Sequence, residues 1–181
     1  MKTKNTLLLT LATIILYSCS SDDSNVIADS FDNGAFIEAI TITDNTIFSD
    51  SLEGGLETNL EYRDSGNGGL LDTFNVYITF LDNTDNAGDS TDAIVREEIF
   101  LRAIEATTFS IGPDGFPRYN LIVPTQDFLT STNNSLEGIA TGDEYIIRFE
   151  LVLTDGRIFS INNTGISGGL IGDFSIITPV E

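Results

Sequence analysis

The stretch Glu144-Tyr145-Ile146-Ile147-Arg148-Phe149-Glu150-Leu151-Val152-Leu153-Thr154, followed by Asp155-Gly156, decides the fold. Tyr145, Ile147, Phe149, Leu151 and Leu153 fall on one side of a two-residue period, and Arg148, Glu150 and Thr154 on the other. Such alternation marks a half-buried strand, because successive side chains point to opposite faces of a pleated sheet. Asp155-Gly156 reads as a two-residue hairpin turn, and residues 157–162 return antiparallel.

The same period recurs upstream. Leu56, Thr58, Leu60 and Tyr62 alternate with Glu57, Asn59, Glu61 and Arg63; Phe74, Val76, Ile78 and Phe80 alternate with Asn75, Tyr77 and Thr79. Residues 35–43 and 93–103 read as further strands, Tyr119, Leu121 and Val123 alternate, and 174–178 forms a last strand after a glycine-rich connection. Gly66-Asn67-Gly68-Gly69 and Gly112-Pro113-Asp114-Gly115 supply turns between them. Residues 125–132 read as the one short helical turn of the domain, capped by Thr125. Seven or eight short alternating strands with turns between them predict an all-β, antiparallel, two-sheet sandwich of the immunoglobulin-like kind, with a closed barrel as the alternative. Gly142-Asp143-Glu144-Tyr145 resembles the tyrosine corner of such sandwiches, in which the phenol bonds back to the backbone. The competing reading makes Tyr145 an ordinary core aromatic.

At the other end, Lys2 and Lys4 precede an apolar run over residues 7–17 that closes on Leu16-Tyr17-Ser18-Cys19. The run suits a signal peptide and is too short to span a bilayer, which takes about 20 apolar residues. Cys19 is the single cysteine of the 181 residues. Its position after a short hydrophobic segment and a small residue is that of a lipobox cysteine, acylated after cleavage between Ser18 and Cys19. Tyr17 stands where a small residue is usual, a variation that lipoproteins of Bacteroidota tolerate. The acidic Ser20-Ser21-Asp22-Asp23-Ser24 resembles the export signal of their surface lipoproteins. The sequence therefore divides into a signal peptide (1–18), an acidic flexible tether with lipidated Cys19 (19–34) and a β-sandwich domain (35–181). The expected address is the outer membrane, held by the lipid anchor at Cys19 and facing the cell exterior.

Composition excludes several function classes. The net charge is −20, and removal of Lys2 and Lys4 with the signal takes it to −22. A field of that sign repels phosphate backbones, so no nucleic-acid partner is expected. The chain has no histidine and no tryptophan, which rules out Ser-His-Asp triads, Cys-His dyads, imidazole metal sites and a histidine base. With Cys19 acylated, no disulfide can form.

Several segments together carry a resemblance: Gly34-Ala35-Phe36-Ile37; residues 74–84, Phe74-Asn75-Val76-Tyr77 through Thr84; residues 109–118, Phe109-Ser110-Ile111-Gly112 through Arg118; Gly142-Asp143-Glu144-Tyr145; and Leu153-Thr154-Asp155-Gly156-Arg157. Over roughly residues 34–160 the chain resembles a group of flavobacterial-type surface lipoproteins similar to accessory components of Sus-type uptake systems. Such systems pair a TonB-dependent transporter with a lid-like lipoprotein. The resemblance implies those two proteins as partners and a binding or scaffolding role in nutrient uptake; it implies no catalytic residues.

Candidate sites beyond Cys19 are few. The loop at residues 82–92 gathers Asp82, Asp85 and Asp89 among Asn and Ser residues, and calcium takes six to eight such oxygens. The EF-hand register fails, because Thr84 falls where a ligand is needed and Ala87 takes the turn-glycine position. A solvated polar loop is the better reading, with calcium the weaker one and no other cofactor expected. Paired carboxylates suited to glycoside hydrolysis occur by chance among 28 acids, and no segment singles out one pair, so no enzyme is expected. Tyr77, Tyr119 and Phe116 are the candidate exposed aromatics for glycan contact, although an aromatic on a polar strand face more often packs across strands. Asp50-Ser51-Leu52 is similar to a short O-glycosylation sequon. The reading is of a non-catalytic surface lipoprotein, an accessory subunit of an uptake complex or else an independent adhesin or calcium-stabilised binding module.

Overall fold

A computed structural model describes residues 34–84, 94–161 and 174–181. The signal peptide, Cys19 and the tether as far as residue 33 lie outside them. The strands are β1 (Ala35–Ile47), β2 (Gly54–Asp64), β3 (Leu71–Asp82), β4 (Ile94–Val95), β5 (Ile99–Glu105), β6 (Ser110–Ile111), β7 (Pro117–Pro124), β8 (Glu144–Leu153), β9 (Ile158–Ser160) and β10 (Ser175–Pro179), with one α-helix among the described residues, α1 (Thr125–Ser131). They form two antiparallel sheets packed face to face. The first has the order β1-β2-β7-β6. The second has the order β10-β8-β3, with β4 and β5 sharing the outer edge of β3 and β9 joining β8. Read as A-B-E-D against G-F-C-C′, this is the strand order of an immunoglobulin-like sandwich.

The alternation seen in sequence places the core. Leu56, Leu60 and Tyr62 of β2 face Phe74, Val76, Ile78 and Phe80 of β3 and Tyr145, Ile147, Phe149 and Leu151 of β8, all essentially inaccessible. Two aromatic chains run through it. Phe74 meets Phe149 at 5.2 Å and Phe109 at 6.1 Å, while Tyr145 meets Phe80 at 4.8 Å and Phe128 at 5.1 Å. Each buried aromatic contributes about 1.5–3 kcal/mol by area alone, plus a smaller ring–ring term.

Three details differ from the sequence reading. The described residues 94–103 fall in two strands: Arg96 N–H still donates to Phe80 O at 3.0 Å, and the chain then leaves the ladder at 97–98, where Glu98 meets Arg148. Thr125 does not cap α1. The cap position is Pro124, and the Thr125 hydroxyl donates to the Glu53 carbonyl at 2.9 Å, tying the helix to the start of β2. The turn after β8 is a three-residue loop. Gly156 N–H donates to Leu153 O, and Leu153 N–H to Arg157 O, both at 2.9 Å. Only Gly156 takes a positive φ there, at 84°, whereas a two-residue type I′ turn needs Asp155 left-handed as well.

The edge opposite β3 on β8 is made in two pieces. Ser160 of β9 pairs with Glu150, Phe174 O accepts the Phe149 N–H, and Ser175 pairs with Arg148. β9 and β10 thus share one edge of β8. β10 also closes the sandwich laterally: Ile47 and Val180 form a parallel bridge, and the Asn45 amide donates to Ile177 O at 2.9 Å.

Candidate functional site

The outer face of the second sheet holds the most site-like surface among the described residues. Cross-strand register aligns Phe100 of β5, Tyr77 of β3, Arg148 of β8 and Ser175 of β10 in one row. The neighbouring row holds Thr79, Ile146 and Ile177, and the row on the other side holds Asn75 and Glu150. The backbone ladders fix these positions, so the surface is built on strands rather than on loops.

Contacts within the row hold it rigid. The Phe100 ring meets Tyr77 edge-on, with centroids 5.5 Å apart. The Arg148 guanidinium lies 4.1 Å from the Tyr77 centroid, a cation–π geometry. Glu98 grips Arg148 through both oxygens, at 2.6 and 2.8 Å, the fork geometry that makes such pairs strong. Glu150 accepts from the Asn75 amide and the Tyr77 hydroxyl, each at 3.2 Å. Burial, then the charge and hydrogen bond of Glu150, raises the Tyr77 phenol above its usual range. The Glu98 hydrogen bond raises the Arg148 guanidinium, so it stays charged throughout the ordinary pH range. Phe100 remains 53% exposed and Ile177 52% exposed. The arrangement offers apolar contact and hydrogen-bonding capacity. It offers no nucleophile–base pair.

Of the three aromatics read from sequence as exposed, only Tyr77 belongs to this surface. Tyr119 is half-buried against Phe109, at 5.2 Å. Phe116 sits under the Arg63 guanidinium at 4.6 Å, on the first sheet's side. Phe100 was missed because residues 93–103 read as one irregular strand with no assignable face. Tyr145 makes no tyrosine corner: its hydroxyl accepts from the Asn134 side-chain amide at 3.1 Å. Its phenol is raised by burial, which outweighs the opposing Asn134 bond. It is a core aromatic of the second sheet.

The weak calcium candidates divide. Asp85 and Asp89 lie outside the described residues. Asp82 faces inward at the end of β3 and is 7% exposed. Its Oδ2 accepts from Arg96 at 3.2 Å, and its buried Oδ1 has no hydrogen-bond partner. Asp143 beside it is inaccessible and occupied: it accepts from the Asn83 N–H, the Thr84 hydroxyl and the Ala140 N–H at 2.8–2.9 Å. That network pins the end of β3 to the start of β8, a structural task. Among the described residues no three acidic or thiol side chains converge as a metal-holding group.

A shallow cleft of about 420 Å³ lies beside α1, lined by Leu52, Gln126, Leu129, Asn134, Ser135, Leu136 and Glu137. It is open to solvent, and its one ionisable group is Glu137. No protein-family model matches the chain, and no curated protein matches it.

Proposed function

We propose that this chain is a non-catalytic lipoprotein of the outer-membrane surface, working as an accessory binding or scaffolding subunit of a nutrient-uptake complex. The observation that carries the reading is Cys19, the one cysteine, closing the Leu16-Tyr17-Ser18-Cys19 segment after a short apolar run. An acylated Cys19 holds the membrane, since each buried methylene of an acyl chain contributes about 0.8 kcal/mol and several chains together anchor stably. The acidic Asp22-Asp23 after it supports display at the cell exterior, and the acidic tether sets the sandwich off the bilayer. The rigid aromatic–ionic face of the second sheet supports binding rather than chemistry. A TonB-dependent transporter and its lid lipoprotein are the partners this reading names.

The test is a mild-detergent pull-down of the tagged, lipidated protein from outer membranes, with mass spectrometry of what accompanies it. A stoichiometric transporter and lid lipoprotein establish the subunit. Recovery of the protein alone overturns it, and Cys19→Ser releasing the protein from the membrane fraction tests the anchor separately.

One observation favours a second reading, a calcium-stabilised module. The bare Oδ1 of buried Asp82 is the kind of unsatisfied group that a bound ion or water completes. In that case calcium raises the thermal midpoint, chelation lowers it, and Asp82→Asn abolishes the difference. A midpoint indifferent to calcium removes this reading.

A further inference from the structure

We infer that the outer face of the second sheet is a docking surface for a protein partner with an apolar centre and a basic rim. The inference rests on the accessory-subunit reading and names the surface it uses.

Three observations carry it. The first is pattern. A solvent-facing sheet face ordinarily alternates to polar residues, yet this one presents Phe100, Tyr77, Ile146, Val152 and Ile177 on four adjacent strands. Phe100 and Ile177 are about half exposed, and the others are half-buried. The outward positions of β2 and β7 at the centre of the first sheet carry Glu57, Asn59, Glu61, Arg63, Arg118 and Asn120, with Ile122 the exposed aliphatic among them; the other exposed aliphatics of that sheet, Ile40, Ile42 and Ile111, sit on its edge strands and include no aromatic. An apolar patch rimmed by polar groups marks an interaction site.

The second is charge. Glu98, Glu144 and Glu150 stand on or beside the face, and Glu97 and Glu105 flank β5 at its edge. Arg148 is neutralised by Glu98, with Glu150 3.7 Å away. The rim is therefore anionic, in a chain whose net charge is −20. A second copy of this chain or a phosphate-rich surface meets repulsion there, and a basic rim meets attraction.

The third is size and rigidity. β10, β8, β3 and β5, of 5, 10, 12 and 7 residues, at ~4.8 Å spacing and ~3.3 Å rise span about 540 Å². One partner in a standard interface contributes about 800 Å², so the face supplies most of such a contact. Its centre is a tyrosine, an arginine and a phenylalanine already locked together, the residue types that concentrate binding energy.

The experiment compares the lipidated wild type with Phe100→Glu, Ile177→Glu and, on the first sheet, Ile122→Glu, in the outer-membrane pull-down. A thermal melt of each variant confirms folding. We expect Phe100→Glu and Ile177→Glu each to reduce the recovered transporter at least about tenfold, the scale of an interface hot spot, while Ile122→Glu leaves it unchanged. Retention of the wild-type complex should also fall when salt rises from about 0.1 M to about 1 M, as the Debye length shrinks from ~10 to ~3 Å. A complex that survives both second-sheet substitutions overturns the docking face and leaves the subunit reading standing. So does equal loss with Ile122→Glu. Retention of the complex by Phe100→Glu together with loss of retardation on a neutral polysaccharide gel makes the face a glycan platform, and overturns the inference. Wild type recovered without partners overturns both readings at once.

Discussion

The Tyr62 hydroxyl donates to Asp64 Oδ2 at 2.6 Å, linking two inward-facing residues of β2 at the end of the core. Asp64 then organises the next loop. Its Oδ1 accepts the N–H groups of Gly66 and Gly68, both at 2.7 Å, and its Oδ2 accepts that of Leu70 at 2.8 Å. The carboxylate is 5% exposed, so its removal strands several donors away from water. Each unsatisfied donor costs about 1–3 kcal/mol, and partial relaxation of the loop recovers some of it. Asp64→Ala should lower stability by about 3–5 kcal/mol, read as a fall in the urea midpoint at unchanged slope. Tyr62→Phe, which leaves the three backbone bonds intact, should cost about 1 kcal/mol. A loss below about 1 kcal/mol for Asp64→Ala would show that the loop closes without its carboxylate.

Alkaline titration tests the same pair from the other side. Burial, reinforced by the Asp64 hydrogen bond and charge, pushes the Tyr62 phenol far above its ordinary value of about 10. Tyr145 and Tyr77 are raised as well, burial being the leading cause in both. The folded state thus holds the neutral phenols. Its advantage is complete below the unfolded value of about 10 and is lost as pH rises above it, because the unfolded chain gives up those protons first. Phenolate absorbance of these buried tyrosines should therefore rise together with loss of near-ultraviolet circular dichroism. Tyr62→Phe should make alkaline unfolding less steep. Full ionisation of every tyrosine while tertiary structure persists would contradict the burial assigned here.

How much of this was legible in sequence depends on whether the relevant contact is periodic. The two-residue period of residues 144–154 and 56–63 fixed which side chains enter the core, and Tyr145, Phe149, Leu60 and Tyr62 are all inaccessible. Asp143 entered the sequence reading only within the Gly142–Tyr145 segment and Asp64 not at all; neither segment gave a hint that each carboxylate would gather three or four donors. Thr125 had the right type for a cap, but tertiary packing gave its hydroxyl to Glu53 instead. The row Phe100-Tyr77-Arg148 exists only through strand pairing between β5, β3 and β8. Pairing partners far apart in sequence leave no local signal, so Tyr77 could be guessed and Phe100 could not.

Arg102 guards the side of the sandwich where no strand closes the gap among the described residues. One of its terminal guanidinium nitrogens donates to the Ile122 carbonyl of β7 at 3.1 Å and to Asp127 of α1 at 3.0 Å. It thereby joins the edge of the second sheet to an edge carbonyl of the first, since β6 pairs only with residues 117–118. An unpaired edge is a template for another chain. Arg102 is about a third exposed, which limits its energetic weight. Arg102→Ala should cost about 0.5–1 kcal/mol, with a larger effect on hydrogen exchange in β7 and on aggregation near the thermal midpoint. Unchanged aggregation and exchange would remove the guarding role.

Glu61 faces outward from β2 yet is only 1% exposed, because two arginines close over it. Its Oε1 accepts from Arg63 Nε at 2.6 Å and its Oε2 from Arg118 Nε at 2.8 Å. Arg118 also reaches both oxygens of Asp114, at 3.0 and 3.1 Å, and so clamps the 112–115 turn onto the first sheet. Breaking a buried pair from one side leaves an uncompensated charge, which is far costlier than the pair is worth. Glu61→Ala, which strands two guanidinium groups that can still turn to solvent, should lose about 2–3 kcal/mol. Arg118→Ala should lose less than Glu61→Ala, since Arg118 is a quarter exposed and Arg63 remains. Arg118→Lys should recover only part of that, because an ammonium cannot fork between two carboxylates. Asp114 supplies a local reporter. Desolvation pulls its carboxyl up, but its own backbone N–H and Arg118 together hold it below the ordinary value. The clamp's contribution is therefore present above the usual carboxylate range of about 3.9 and fades as pH falls through the lower folded value. In an NMR titration the Asp114 midpoint should lie below that of a free aspartate and move upward in Arg118→Ala. A midpoint unmoved by that substitution would mean that the turn holds its shape without the clamp.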